Sequence, residues 1–96
     1  MAIVDDHLKD VRTKANSLRT DLLYFAEEME AKLRKNDHKT EARLLPPEAL
    51  LRKLQLELEE FKVAYEYETP EAARWELVDI ANFCMLLHYR MREDHV

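Results

Sequence analysis

Tyr65-Glu66-Tyr67-Glu68-Thr69-Pro70-Glu71-Ala72-Ala73 is the stretch on which the architecture turns. The Thr69 hydroxyl is suited to accept from the open amides of a helix start. Pro70 stands where a missing amide costs nothing, and Glu71 puts an acid in the first turn. A helix therefore begins at Pro70 and runs to about Met91, with Ala73, Leu77, Ile80, Cys84, Leu87 and Met91 as its apolar stripe. On the other side, Pro47 opens a helix that runs to about Tyr67, with Leu51, Leu54, Leu58, Phe61 and Tyr65 as its stripe. About two residues join the two helices, and so short a connection between long helices predicts an antiparallel hairpin.

Upstream, Leu8, Val11, Ala15, Leu18, Leu22, Phe25, Met29 and Leu33 recur at three- and four-residue spacing, which predicts a first helix from about Asp6 to Lys35. Asp5 or Asp6 would cap it, and Lys32, Arg34 and Lys35 would sit at the negative end of its dipole. Asn36, Asp37 and His38 mark its end. The 96 residues contain no glycine and three prolines, which removes the usual sources of tight hairpins and phosphate-cradling loops. A sandwich, barrel, Rossmann unit or P-loop is thereby excluded. The expected fold is all-α: a single domain over 1–96, a bundle of three main helices whose antiparallel hairpin carries the site.

A chain this size buries roughly 60 to 70% of its unfolded surface, enough for one modest core that a partner chain would complete. A homo-oligomer is therefore expected. Fifteen Lys plus Arg against twenty Asp plus Glu give a formal charge of −5, which argues against a nucleic-acid binder that must neutralise phosphates. No apolar run approaches the roughly 20 residues that span a bilayer, so no membrane partner is expected. With one cysteine, Cys84, and no cationic-then-apolar leader, the expected compartment is the cytoplasm.

Glu57 and Glu60 lie three apart on the second helix, and Glu76 and Asp79 three apart on the third. At about 100° and 1.5 Å per residue, each pair flanks its stripe, with Glu60 level with Glu76 and Glu57 level with Asp79 across the hairpin. Four carboxylates at one level repel one another unless a cation compensates. Mg²⁺, a hard cation that takes carboxylate oxygens and retains waters and substrate phosphates, would suit them, with Mn²⁺ as a substitute. The same acids could instead form a solvated face paired with Arg52, Lys53, Lys62 and Arg74.

These residues resemble the signature of the all-alpha NTP pyrophosphohydrolases, the MazG-like superfamily that includes the dimeric dUTPases. That signature is EExxE followed by ExxD. The chain reads Leu56-Glu57-Leu58-Glu59-Glu60 and then Glu76-Leu77-Val78-Asp79, and Asp79-Ile80-Ala81-Asn82-Phe83 is similar to the family's DVANF stretch. The likeness covers roughly Leu50 to Met91. It departs from the pattern at the leading Glu, which is Leu56. The resemblance implies a Mg²⁺ site made by Glu57, Glu60, Glu76 and Asp79. It further implies hydrolysis of a nucleoside triphosphate to the monophosphate and pyrophosphate, in nucleotide-pool house-cleaning by a dimer or tetramer. Glu60 would orient the attacking water, and Asn82 would take the place of the family's nucleoside-contacting Asn; the alternative for Asn82 is an amide satisfied at a helix interface.

Weaker candidates accompany these. Lys53, Lys62 or Arg74 would meet phosphate charge or serve as ordinary helix ion pairs. Trp75, Tyr65, Tyr67 and Phe83 would stack on a base or fill the core. The four histidines lack zinc-ligand spacing, and Cys84 reads as a small buried hydrophobe. The rival reading is a non-enzymatic helical interaction or nucleotide-binding module, with the first-helix seam as its partner surface.

Overall fold

The computed structural model describes residues 17–36 and 44–94, together with Asp10 and Lys14. The described residues form α1 (Thr20–Lys35), α2 (Pro47–Tyr67) and α3 (Pro70–Asp94) and contain no strand. The architecture is all-α, as the composition requires. No helix among the described residues is long and apolar enough to cross a membrane.

The hairpin forms where the turn chemistry places it. Only Glu68 and Thr69 separate α2 from α3. The Thr69 Oγ1 accepts from the Ala72 amide at 3.1 Å, and its carbonyl accepts from Ala73 at 3.1 Å. Such a cap contributes about 1 kcal/mol. At the far end, Pro46 is extended (φ −70°, ψ 161°), and its carbonyl accepts from Ala49 and Leu50, so α2 starts at Pro47. The most extensive packing is between α2 and α3, and α1 rests on α3 over a smaller area.

The first predicted helix is interrupted at 17–19, between the helical residues Asp10 and Lys14 and the start of α1 at Thr20. Its amide-capping residues, Asp5 or Asp6, and most of its first half lie outside the described residues. At Ser17 the chain turns: the Ser17 hydroxyl and amide both donate to the Lys14 carbonyl, at 2.8 and 3.0 Å. Arg19 then takes ψ 143°, so helical geometry restarts only at Thr20. A serine that bonds its local backbone offers the chain an alternative to the helix ladder, and here that alternative prevails over the apolar spacing. The Asn36 amide closes α1 on the carbonyls of Lys32 and Leu33, with Lys32, Arg34 and Lys35 in the last turn as expected.

The hairpin seam differs from the predicted one in both helices, and in the same sense. On α2, Leu51, Leu58 and Tyr65 are 46%, 44% and 74% exposed, whereas Leu50 and Ala64 are buried and Leu54, Glu57 and Phe61 are half-buried. On α3, Leu77, Cys84 and Met91 are exposed, whereas Ala73 is buried and Glu76, Ile80, Phe83 and Leu87 are half-buried. Leu54, Phe61, Ala73, Ile80 and Leu87 belong to both alternatives. The others are replaced by the residue one position earlier, about 100° away on the helix, so each stripe as a whole turns by about 50–60°. Cys84 is therefore an exposed thiol rather than a buried hydrophobe. Val78 and Asn82 are buried on the side of α3 that meets α1.

Candidate metal centre

The rotated seam puts two carboxylates where leucines were expected. Glu57 lies between Leu54 and Phe61 on α2, and Glu76 lies between Ala73 and Ile80 on α3. Asp79, one turn beyond Glu76, joins them: Glu57, Glu76 and Asp79 each offer an oxygen, and these oxygens lie within 4.8 Å of one another. Glu60, the fourth predicted ligand, is exposed and stands outside this trio. It lines an open groove of about 450 Å³ beside the trio, together with Leu56, Glu59, Val63, Glu68 and Glu76. Leu56, which departs from the acidic pattern, contributes an apolar wall there and is 63% exposed.

The electrostatics follow from this crowding. Burial, then the charges of Glu60 and Asp79, and then hydrogen bonding to Glu76 and Glu60 raise the Glu57 carboxyl to about 8 from its ordinary 4.5. Burial raises Glu76 as well; the hydrogen bond from Glu57 opposes it, the charges of Glu60 and Asp79 add to it, and Lys32 offsets part of it. When both glutamates are ionised, Glu57 Oε2 and Glu76 Oε2 are buried acceptors with no donor. Either a shared proton or a cation satisfies them. The donors are all hard carboxylate oxygens, so the residues present fit a Mg²⁺-type ion.

A pH dependence follows for the metal-free protein. The folded state keeps a proton on Glu57 between about pH 4.5 and about 8, where an unfolded Glu57 has lost it. The folded state therefore binds more protons in that window, and stability falls as pH rises through it. The groups facing Glu57 are Glu60 on its own helix and Glu76 and Asp79 on α3, with Lys32 of α1 beside Asp79. Melting temperature measured in a chelator should decline across this window, and the Glu57→Gln variant should flatten the decline. A wild-type melting temperature that rises over the same range would contradict the assignment.

The remaining predicted residues are distributed differently. Asn82 is 7% exposed and its Nδ2 donates to the Met29 carbonyl at 3.2 Å, so it acts as the interface amide that fastens α1 to α3. Its Oδ1 is buried without a hydrogen-bond partner. Trp75 is half-buried on α3, with the Arg74 guanidinium 5.3 Å from its ring centroid. Arg74 also pairs with Glu28 of α1 at 2.8 Å. Lys53 is exposed on α2, one turn before Glu57. Lys62 pairs with Glu59 at 3.4 Å, an ordinary helix-surface contact. Tyr65 and Tyr67 are exposed, and Phe83 is half-buried in the hairpin seam.

One residue at the centre is absent from the sequence-based candidates. Lys32 of α1 places Nζ 3.5 Å from Asp79 Oδ1, with the two side chains only 25% and 23% exposed. Its position in the last turn of α1 reads as a dipole partner, and no spacing along the chain connects it to a residue 47 positions later.

The fold and this centre define the class: an all-α protein with a carboxylate cluster at the seam of a helical hairpin. No family model, curated protein or solved structure matches the chain.

Proposed function

We propose that the protein is a Mg²⁺-dependent nucleoside triphosphate pyrophosphohydrolase of the MazG-like kind, releasing pyrophosphate and a nucleoside monophosphate. The observation that carries this reading is the convergence of Glu57, Glu76 and Asp79, the acids of the ExxE and ExxD motifs, at half-buried positions where they oppose hairpin packing. Charges are not kept in a helix seam for stability, since apolar residues pack there at lower cost. Glu57, Glu76 and Asp79 would hold the ion. Bound there, Mg²⁺ supplies Lewis-acid polarisation of a phosphate oxygen and offsets charge in the transition state. Glu60, open to the groove and outside the trio, would orient the attacking water. The acidic groove also implies that a triphosphate enters only with its cation. Pyrophosphate release from a panel of ribo- and deoxyribonucleoside triphosphates, with Mg²⁺ or Mn²⁺ and with chelator, tests the reading. Metal-dependent release is expected. No release from any nucleotide, together with no thermal stabilisation by metal, would favour the interaction-module alternative.

The same reading includes a homo-oligomer working in the cytoplasm. Leu51, Leu58 and Tyr65 on α2 and Leu77, Cys84 and Met91 on α3 are exposed at seven-residue spacing. Each set lies about 100° past its seam residue, which on antiparallel helices turns both sets to one face of the hairpin. Two such faces packed together would make a four-helix bundle. Sedimentation equilibrium should give a dimer or a tetramer, and Leu58→Glu with Leu77→Glu should dissociate it. A monomer at micromolar concentration in the wild type would refute this part.

A further inference from the structure

We propose that Lys32 is the resident counter-ion of the carboxylate cluster and is exchanged for the divalent cation when that cation binds. The inference rests on the reading of Glu57, Glu76 and Asp79 as a metal centre and concerns how that centre is governed. Among the described residues, the ion pair made by the trio is the one between Lys32 Nζ and Asp79 Oδ1. Its 3.5 Å separation exceeds the roughly 2.7–2.9 Å of a strong charge-assisted hydrogen bond. The contact is therefore a neutralising one rather than a locked one. Two other contacts hold α1 against α3 without it: Arg74 with Glu28 at 2.8 Å, and Asn82 Nδ2 with the Met29 carbonyl at 3.2 Å. On α1 they lie at Glu28 and Met29, four and three residues before Lys32, and on α3 at Arg74 and Asn82, either side of Asp79, so the Lys32 backbone stays at the cluster whether or not its ammonium is engaged. The flexible four-carbon stem then lets the ammonium leave Asp79 while α1 stays in place.

The charge arithmetic favours exchange over coexistence. One ammonium carries a single charge against three converging carboxyl groups, and its ion pair is with Asp79. A divalent ion would take an oxygen from each of the three, and its charge would repel an ammonium held at the same carboxylate, which favours release of Lys32. Lys32 thus lowers the affinity of the centre for its cation and stabilises the metal-free form.

Isothermal titration with Mn²⁺ alone, on wild type, Lys32→Met and Lys32→Arg, tests this, with melting temperatures taken in chelator and in saturating Mn²⁺. Lys32→Met should bind Mn²⁺ about tenfold more tightly, a coupling within the ordinary range. It should melt below wild type in chelator but not in saturating Mn²⁺, while Lys32→Arg should keep near-wild-type affinity. A lysine that merely fastens α1 to α3 would lower both melting temperatures alike. That result, or an unchanged or weaker Mn²⁺ affinity in Lys32→Met, would overturn the exchange and leave the metal centre standing. Absence of Mn²⁺ binding in both wild type and Lys32→Met would overturn the centre and the exchange together.

Discussion

Replacing Glu57 with leucine should make the metal-free protein more stable and remove its response to Mg²⁺ or Mn²⁺. Glu57 occupies a seam position whose neighbours on the same stripe are Leu50, Leu54, Phe61 and Ala64, two of them buried. Its carboxyl is driven to about 8 chiefly by burial and secondarily by the charges of Glu60 and Asp79. Leucine would complete the stripe and remove that opposition. Exchanging buried charged groups for apolar ones of similar volume commonly stabilises by about 1–4 kcal/mol. For a chain of this length the melting temperature would rise by roughly 5–15 °C. The wild type, by contrast, should gain about 2.7 kcal/mol from an ion supplied at about a hundred times its Kd. Calorimetry of both proteins in chelator and in metal separates the two effects. A leucine variant that melts below wild type, or that is still stabilised by Mn²⁺, would show that Glu57 serves the fold rather than a ligand.

In the pyrophosphate-release assay, Glu57→Gln and Asp79→Asn should each lose activity by more than about 100-fold. That exceeds the roughly 10–100-fold typical of groups that only support a metal ligand. Both substitutions keep side-chain shape and remove the charge that would hold the ion. Glu60→Ala should behave differently, because Glu60 is exposed to the groove and lies outside the converging trio. Its release rate should fall by about 100- to 10,000-fold, the usual contribution of a positioned acid–base group, while Mn²⁺ affinity changes little. Equal loss of Mn²⁺ binding in all three variants would instead make Glu60 a ligand, as the motif alone implies.

The acidic residues were legible in order and spacing, but their seam positions were not. The alternatives Leu51, Leu54, Leu58, Phe61, Tyr65 and Leu50, Leu54, Glu57, Phe61, Ala64 obey the same spacing and share two members. Hydrophobicity favours the first, so the glutamate that marks the second reads as a flank. The same ambiguity on α3 exchanges Leu77 for Glu76 and Cys84 for Phe83. A functional acid in a seam violates the pattern by which seams are found, and the observed seam is accordingly turned by about 50–60° from the more hydrophobic stripe.

Local chemistry therefore sufficed for the helical class, for the boundaries of α2, and for the start of α3. Each depends on groups a few residues apart: Pro47, the Thr69 cap, Pro70 and the absence of glycine. The break at Ser17 was also local, yet its hydroxyl-to-carbonyl bond competes too closely with helix continuation for apolar spacing to reveal it. Packing between helices determined the rest. It chose which of two equivalent stripes faces inward, brought Glu57 to Glu76 and Asp79, and set Lys32 against Asp79. These outcomes depend on how whole helix surfaces fit one another, and the energy of that fit is shared among residues far apart in the chain, where no short-range spacing records it.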